Sequence, residues 1–575
     1  MIGHIIALVS VVVASSDRVN ITLYGKLIEA NLLDLPRIPV PVMSYVGIPF
    51  AEPPVGPLRL QPPVRKNFYD VPSDLTRLRS PCIQKSRKYG EPSEDCLYLN
   101  VYVRADLKRS KRLPVMFWIH GGSFLHGSGR KYSGASLAAH ESVVVVTMNY
   151  RLGHLGFLNG TNLALLDQRM ALEWVRDHIS KFGGDPKQVL LFGDSAGAAC
   201  VLWHMVADKS KKLFSAAAVQ SAPITDFVFQ SLENNQKYSE WYSNKVLGCQ
   251  LNDTICLQNV PADKFAWKGS KEEPSFASPL YPLVPVGPVV DGIELTESPL
   301  ETLKKTNVTI PFIIGATQHE GSAFAAGLEK IIKLNKFPPE TANDTISIIQ
   351  KIIRSNDSLV AQRLVDLYNM DEYLSDSPYS RKVAAFRLLR DGISDAMFLC
   401  PLREIARNQK NARVYLFSVS QLYGWTAAVP ILKGMPIREM GAFHNAELGL
   451  LFKDFKSITQ AAIKLIVNLD IGNFVRSLYT AGSNNFYKYH KLSDKLSCSW
   501  SQLAKCKDAH NCMHKCMFTE WPLFAEQRHI LNFQGYGRTR LIDDKNQTQT
   551  RLRSLLPTDA ICEAWSRVSW SWLKN

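Results

Sequence analysis

The sequence predicts an α/β fold built on a large, doubly wound, mostly parallel central sheet with helices on both faces. Two continuous apolar segments, residues 115–119 and 143–148, are typical of strands buried on both faces of a parallel sheet. Residues 171–179 carry apolar side chains at helical spacing. A further apolar strand, residues 188–192, follows that helix. Strands that alternate with helices in this way favour a parallel sheet covered by helices.

Residues 1–16 are predicted to be a secretory signal peptide, and residues 17–575 a single domain. The apolar segment 5–14 is too short to span a bilayer and ends in small residues, although no Lys or Arg precedes it. A buried N-terminal strand is the alternative. No linker rich in Pro, Gly or Ser and no internal repeat divides the 575 residues, so one large unit is favoured.

Three further features favour a secreted, N-glycosylated protein. The chain has 11 cysteines, and several are closely spaced as in a disulfide framework. The last residues, 565–575, contain no long apolar tail, which argues against a lipid or transmembrane anchor. Glycosylation sequons begin at Asn20, Asn159, Asn252, Asn307, Asn343, Asn356 and Asn546.

The chain is basic, with a formal net charge of +15 at pH 7. Basic residues cluster at 85–88 and 104–112, which favours contact with an anionic surface such as a glycosaminoglycan. A solvated surface without a partner is the alternative. No nucleic-acid-binding module accompanies the charge, so we do not expect nucleic acid as a partner.

Ser195 is the candidate nucleophile. It lies in a G-x-S-x-G turn, Gly193-Asp194-Ser195-Ala196-Gly197, directly after the strand 188–192. At such a turn the glycines let the backbone turn closely, and the hydroxyl projects beside the positive N-terminal end of a helix. Ordinary turns use the same residue types, so the strand that precedes the pentapeptide carries much of the prediction.

Five segments in fixed order between residues 45 and 186 belong to a resemblance that runs over nearly the whole mature chain. They are residues 45–56 (YVGIPFAEPPVG), 94–101 (EDCLYLNV), 149–153 (NYRLG), 166–175 (LDQRMALEWV) and 182–186 (FGGDP). Together they resemble the type B carboxylesterase/lipase family, the α/β-hydrolases that include cholinesterases and the non-catalytic neuroligins. The resemblance implies an α/β-hydrolase fold and a secreted serine carboxylesterase that cleaves a small-molecule or lipid ester through an acyl-enzyme on Ser195. We expect no cofactor and no metal.

The resemblance and the chain order of such hydrolases indicate the acid and the base. Glu320 follows the predicted strand 312–315 and stands directly before a Gly, as the family's acid does. His444 is the base candidate, because it lies in the family's Gly-x-x-His-x-x-Glu arrangement. His319 competes for that role, but its adjacency to Glu320 directs the two side chains apart. The predicted strand 414–417 lies between them in sequence.

The oxyanion hole is expected from the amides of Gly122, Ser123 and Ala196. The family usually has Gly or Ala where Ser123 stands, so we expect its side chain to crowd the site. Asp194 replaces the Glu that many members carry before the nucleophile, and we expect it to bind a polar neighbour or buried water. The resemblance also implies two structural ion pairs, Arg59 with Glu94 and Arg151 with Asp167.

The resemblance implies three disulfides: Cys82 with Cys96, Cys249 with Cys256, and Cys400 with Cys562. A Cys-rich insertion near residues 498–516 has no counterpart in the family. Its four thiols, Cys498, Cys506, Cys512 and Cys516, allow two further disulfides or a zinc site completed by His510 or His514. Cys200 is then the unpaired thiol.

Family members that bind choline hold the cation on a Trp of the first disulfide loop. Here that loop, residues 83–95, is basic and has no Trp, so we expect poor turnover of acetylcholine. Near Pro282 and Val284 the bulky aromatic residues of the acetylcholinesterase acyl pocket are absent, which favours larger acyl groups. Two alternatives stay open: a catalytically weak or non-catalytic neuroligin-like binding protein, and a lipase or hormone esterase of the same chemistry.

Overall fold

The structure is a computed structural model that describes most of the chain between Ser15 and Val568. The described residues are 15–23, 25–35, 38, 40–67, 70, 72–107, 111–225, 228–266, 284–325, 358–369, 372, 381–419, 437–453, 484–506, 516, 521–535, 538–544 and 555–568. Several predictions lie outside them: most of the signal peptide, Pro282, Asn343, Asn356, Asn546, His510, Cys512 and His514.

The strands form one large sheet and one small pair. Within the described residues they are β1 (Ser15–Leu23), β2 (Lys26–Asp34), β3 (Val42–Pro49), β4 (Asp74–Leu75), β5 (Tyr98–Arg104), β6 (Leu113–Ile119), β7 (Val144–Met148), β8 (Gly184–Asp194), β9 (Ala216–Gln220), β10 (Gln230–Ser231), β11 (Val289–Val290), β12 (Phe312–Thr317), β13 (Ala412–Phe417), β14 (His529–Phe533) and β15 (Thr539–Asp543).

The large sheet has the order β1-β2-β3-β5-β7-β6-β8-β9-β12-β13-β14-β15, with β4 paired to β2. All neighbours from β7 to β14 are parallel. The neighbours in the order β1-β2-β3-β5-β7 pair antiparallel, as does β15 at the other edge, whereas β4 is parallel to β2. The predicted parallel sheet is therefore the central part of a mixed sheet. Side chains of β7 and of 190–192 in β8 are fully buried, as continuous apolar strands require.

The helices cover the sheet and connect its strands. Within the described residues they are α1 (Ala135–Glu141), α2 (His154–Phe157), α3 (Leu163–His178), α4 (Ala196–Val206), α5 (Leu232–Tyr242), α6 (Thr254–Asn259), α7 (Pro299–Lys305), α8 (Ser358–Tyr368), α9 (Arg381–Ser394), α10 (Cys400–Arg407), α11 (Leu448–Leu451), α12 (Asn484–Lys505), α13 (Phe524–Gln527) and α14 (Asp559–Ser566).

Helix α3 begins at Leu163 and contains residues 171–178 of the segment 171–179 predicted from its apolar spacing, and Ile179 is its C-cap. Its buried face includes Leu165, Leu172 and Val175, which lie at helical spacing. Asp167 is buried on the same helix because Arg151 donates two side-chain hydrogen bonds to it. The predicted ion pair therefore allows a charged residue to lie inside this face.

The last two residues of the predicted signal peptide lie in the first strand of the sheet. Ser15 and Ser16, assigned to the signal peptide from the sequence, pair with Asp34 and Leu33 in the β1–β2 hairpin. None of the described helices combines the length and apolarity needed to cross a bilayer.

Candidate active site

Ser195 lies at the sharp turn between β8 and α4. Its backbone has φ 53° and ψ −124°, a conformation that residues with a side chain rarely adopt. Its amide donates a hydrogen bond of 2.9 Å to the Gln220 carbonyl at the end of β9. A Cβ added to Gly197 would lie 2.2 Å from the Ile119 carbonyl oxygen. The turn is therefore fixed between β6 and β9, with the serine at the carboxyl ends of the strands and at the start of α4.

Glu320 and His444 lie on two loops that the structure joins. A backbone bridge pairs His319 with Phe443, and the His319 amide donates to the Ala442 carbonyl over 2.9 Å. Next to this bridge, His444 Nδ1 contacts Glu320 Oε2. The second Glu320 oxygen accepts a hydrogen bond of 2.6 Å from an amide of its own turn, that of Thr317. The acid is thereby held at both oxygens, and the ring is oriented through Nδ1.

Whereas the His444 ring contacts Glu320, the His319 ring bonds the backbone of the neighbouring loop instead. Its Nδ1 accepts the Ala442 amide over 3.1 Å, and its ring lies where Gly441 leaves room. The ring therefore ties the two loops together. This arrangement agrees with the expectation that Glu320 and its neighbour direct their side chains apart.

The His444 ring is enclosed by aromatic side chains. The ring centroids of Phe324 and Phe398 lie 5.5 and 5.3 Å from its own. Burial disfavours the charged ring, but the charge and hydrogen bond of Glu320 outweigh this, and the pKa of His444 is raised. Its Nε2 is buried and makes no hydrogen bond, so the described residues include no bond from the ring to the Ser195 hydroxyl.

The loop after β6 brings the predicted oxyanion donors beside the nucleophile. Asp194 accepts a hydrogen bond of 2.8 Å from the Gly121 amide, which is the polar neighbour predicted for it. Gly122 has φ 122°, and a Cβ there would lie 1.9 Å from the His126 carbonyl oxygen. Within the described chain, no protein hydrogen bond uses the amides of Gly122, Ser123 or Ala196. These three N–H groups are therefore available to a developing negative charge.

Ser123 itself has φ 54°. A glycine adopts this conformation without the steric penalty of a Cβ. The residue that departs from the family pattern is thus also at a strained backbone position.

Glu447 is a buried carboxylate that the sequence analysis left without a role. Its Oε1 accepts a hydrogen bond of 3.3 Å from Gln220, whose own carbonyl side-chain oxygen accepts the Trp500 indole N–H over 3.0 Å. Burial, and then the charge of Glu320, raise the pKa of Glu447 to about 7. The sequence signal that could have identified Glu447 is its place as the Glu of the Gly-x-x-His-x-x-Glu arrangement, three residues after His444.

The structure contains the three disulfides that the resemblance implies, Cys82–Cys96, Cys249–Cys256 and Cys400–Cys562. In the insertion, Cys498 bonds Cys516, and Cys506 is also disulfide-bonded. These bonds remove thiols that the zinc alternative needs. No group of three or more metal-binding side chains occurs among the residues described.

Cys200 is the free cysteine within the described part of the chain, and it is buried in α4. Burial raises the pKa of its thiol to about 12, although Gln168 donates a hydrogen bond to the sulfur. A thiol of this kind is unreactive at neutral pH.

The first disulfide loop is anchored by the other predicted ion pair. Arg59 Nη2 lies 2.6 Å from Glu94, and the same guanidinium donates to the carbonyls of Leu257, Gln258 and Val260. The pair thus fastens the Cys82–Cys96 loop to the segment that holds Cys256.

Comparison with known proteins agrees with this architecture. The family model described as the carboxylesterase family matches residues 18–519. Carboxylesterase 1D of Rattus norvegicus is 30% identical over 508 residues, covering 80% of this chain and 86% of that protein. The pyrethroid hydrolase Ces2e of the same species is 31% identical over 452 residues, 74% of this chain and 75% of that one. Acetylcholinesterase of Electrophorus electricus is 34% identical over 411 residues, 64% and 62% of the two chains.

Proposed function

Because the chain belongs to the carboxylesterase family and is a carboxylic ester hydrolase, we propose that it acts through an acyl-enzyme formed on Ser195. The observation that carries the proposal is the Glu320–His444 contact, which leaves His444 Nε2 buried and without a partner. A general base needs this arrangement, with one ring nitrogen oriented and the other open.

In the proposed first step, Ser195 Oγ attacks the ester carbonyl carbon and its proton passes to His444 Nε2. Glu320 stabilises the imidazolium that forms. The amides of Gly122, Ser123 and Ala196 stabilise the carbonyl oxygen as it becomes negative. Collapse of the tetrahedral intermediate breaks the ester C–O bond, and the leaving alkoxide takes the proton from His444.

In the second step, water attacks the acyl carbon and gives a proton to the same ring nitrogen. The acid leaves and Ser195 Oγ regains the proton. The missing hydrogen bond between Ser195 and His444 is compatible with this sequence, because such bonds often tighten only when substrate is bound.

Covalent labelling tests the proposal. We expect a fluorophosphonate probe to modify the native protein at one site, identified by peptide mass spectrometry as Ser195. Ser195→Ala is expected to remain unlabelled, whereas Ser136→Ala, at a half-buried position of α1, serves as the matched control and is expected to label fully. A folded native protein that neither labels nor hydrolyses phenyl butyrate would instead favour the non-catalytic binding function.

We further propose that the protein is secreted and N-glycosylated. The sequon asparagines within the described residues, Asn20, Asn159, Asn252 and Asn307, are all exposed. Disulfides of the kind found here are typical of oxidising compartments. Expression in a eukaryotic secretory host followed by peptide-N-glycosidase should lower the mass of the protein in the medium. Protein retained inside the cells with no change in mass would contradict this proposal.

We also propose that acetylcholine is a poor substrate. In the first disulfide loop, the Lys88 ammonium lies 5.7 Å from the centroid of the Tyr89 ring. One face of this aromatic ring is therefore already occupied by a cation. A quaternary ammonium would meet positive charge there. We expect kcat/KM for acetylcholine to fall well below that for phenyl acetate, and equal values would refute the proposal.

A further inference from the structure

The first disulfide loop packs directly against the loop that carries the oxyanion donors. Gln84 donates a hydrogen bond of 2.8 Å to the Gly127 carbonyl and accepts one of 3.0 Å from the Gly127 amide. The two loops joined in this way carry three basic side chains, Lys88, His126 and Lys131, which we call the rim cluster. Burial, and then the charges of Lys131 and Lys88, lower the pKa of His126, so the positive charge of the cluster is carried by the two lysines.

The segment that carries Lys131 packs against the strands that lead to the candidate nucleophile. The charge of Asp194, the residue before Ser195, acts on Lys131. Burial, and then the same Asp194 charge, raise the pKa of Tyr89, the neighbour of Lys88, to about 12. The Tyr132 ring, next to Lys131, lies with its centroid 6.0 Å from that of Trp118 in β6, and the Trp118 centroid lies 4.8 Å from that of Phe192 in β8, the strand that leads into the Ser195 turn.

The segment that follows the candidate base His444 packs against the neighbour of Lys131. Tyr132 stacks on Phe452 with centroids 4.8 Å apart, and Phe452 ends the short helix that follows Glu447. The Glu447 charge also acts on Lys131. Lys131 thus lies between the segments that carry the nucleophile and the base.

Lys131 is half-buried and lacks a counter-ion among the described residues. Its Nζ lies 4.8 Å from the centroid of the Tyr132 ring, and no described carboxylate comes within 4 Å of it. Burial lowers its pKa, the more distant charges of Asp194 and Glu447 oppose this only in part, and the charge of Lys88 lowers the pKa further. Asp194 does not serve as a direct partner, because its Oδ1 accepts the Gly121 amide and its Oδ2 makes no hydrogen bond.

We propose that the rim cluster binds a carboxylate carried by the ester substrate and so makes the enzyme selective for anionic esters over neutral ones. The inference rests on the proposed function, since it assigns the substrate class of the same site. A partly desolvated cation without a counter-ion attracts an anionic group more strongly than a solvated surface lysine does. The same charge excludes cationic esters, so attraction and rejection have one cause.

The test compares two esters of similar shape, 4-carboxyphenyl butyrate and 4-carbamoylphenyl butyrate. For each protein variant we take the ratio of kcat/KM for the anionic ester to that for the neutral ester. Intrinsic reactivities of the two esters cancel when this ratio is compared between variants. We expect Lys131→Gln to lower the ratio about tenfold, and Lys131→Arg to retain most of it. Raising the ionic strength should lower the native ratio toward that of Lys131→Gln.

Lys212→Gln is the matched control, because it removes one positive charge from an exposed residue beyond the far end of α4. An α-helix of that length places it about 16 Å or more from Ser195, and its ratio should equal the native one. Fluorophosphonate labelling checks that each variant has a folded site. A labelled Lys131→Gln with the native ratio would overturn the inference, whereas a native protein that cleaves neither ester would overturn the proposed function instead.

Discussion

Ser195 and the oxyanion loop are held by close backbone contacts, whereas Glu320 and His444, on two loops joined by a backbone bridge, also depend on the contact between their own side chains. On the nucleophile side, the backbone around Gly197 and Ile119 is so close that a Cβ does not fit. On the acid–base side, residues 124 positions apart in sequence meet through a hydrogen bond between side chains. The first side should therefore be sensitive to added volume, and the second to changes in charge and hydrogen bonding.

The largest expected effect is on the acid–base side. We expect His444→Ala to lower kcat by about 10⁴-fold, because the attacking hydroxyl loses its base. His140→Ala, which removes an exposed histidine of α1, should leave kcat unchanged. Steady-state hydrolysis of phenyl butyrate measures both variants. A loss below about tenfold in folded His444→Ala would show that another group serves as base.

Added volume on the nucleophile side gives the next effect. Gly197→Ala forces a backbone shift and should destabilise the protein by about 1–3 kcal/mol. Gly392→Ala in α9 is the matched control, since its Cβ would meet only Trp565, at 3.7 Å, and alanine favours the helix. Chemical denaturation should therefore move the two midpoints in opposite directions. Equal midpoints would show that the turn is less tightly held than described.

Glu447→Gln tests the charge sensitivity of the acid–base side. Above pH of about 7 the ionised Glu447 favours the charged His444 ring, so its removal should lower the pKa of His444. The acid limb of the kcat/KM profile should then move to lower pH by about 0.5–1 unit. The exposed Glu563→Gln in α14 provides the control. If the acid limb of the profile does not move in Glu447→Gln, the Glu447 charge has no effect on the pKa of His444.

The same substitution changes the pH dependence of stability. Between the ordinary value of 4.5 and about 7, the folded protein binds the Glu447 proton more tightly than the unfolded chain does. This group therefore reduces stability as pH rises through that window. Glu447→Gln should lack this part of the decline, as measured by denaturation at several pH values.

The smallest effect is expected at Ser123. Ser123→Gly removes a Cβ from a residue with φ 54° beside the oxyanion donors, and should raise kcat/KM by about two- to fivefold. Ser142→Gly relieves a similar φ of 51° at the end of α1, away from the site, and should leave kcat/KM unchanged. If both variants behave alike, crowding by Ser123 has no effect on catalysis.

The elements with strong local patterns were predictable from the sequence. Segments 115–119 and 312–315 lie within β6 and β12, because continuous apolar side chains suit strands buried on both faces. The antiparallel edge of the sheet was not predicted, since alternating and partly polar strands such as β2 carry a weaker signal.

The site was predictable to the extent that its motifs are local. The Ser195 turn follows from its glycines and its strand, and the resemblance indicated Glu320 and His444. The surroundings of Glu447 and Lys131 were not predictable, because each depends on several segments distant in sequence. Gln220 and Trp500, for example, meet only after β9 and α12 pack together.

We expect Ser195, His444 and Glu320 to act as one unit, and a crystal structure of the fluorophosphonate-labelled protein tests this most directly. We expect phosphorus bonded to Ser195 Oγ, with His444 Nε2 within about 2.6–3.2 Å of an ester oxygen or of Oγ, and Nδ1 still on Glu320. A label on another residue, or a His444 ring held away from the adduct with Glu320 elsewhere, would contradict the account.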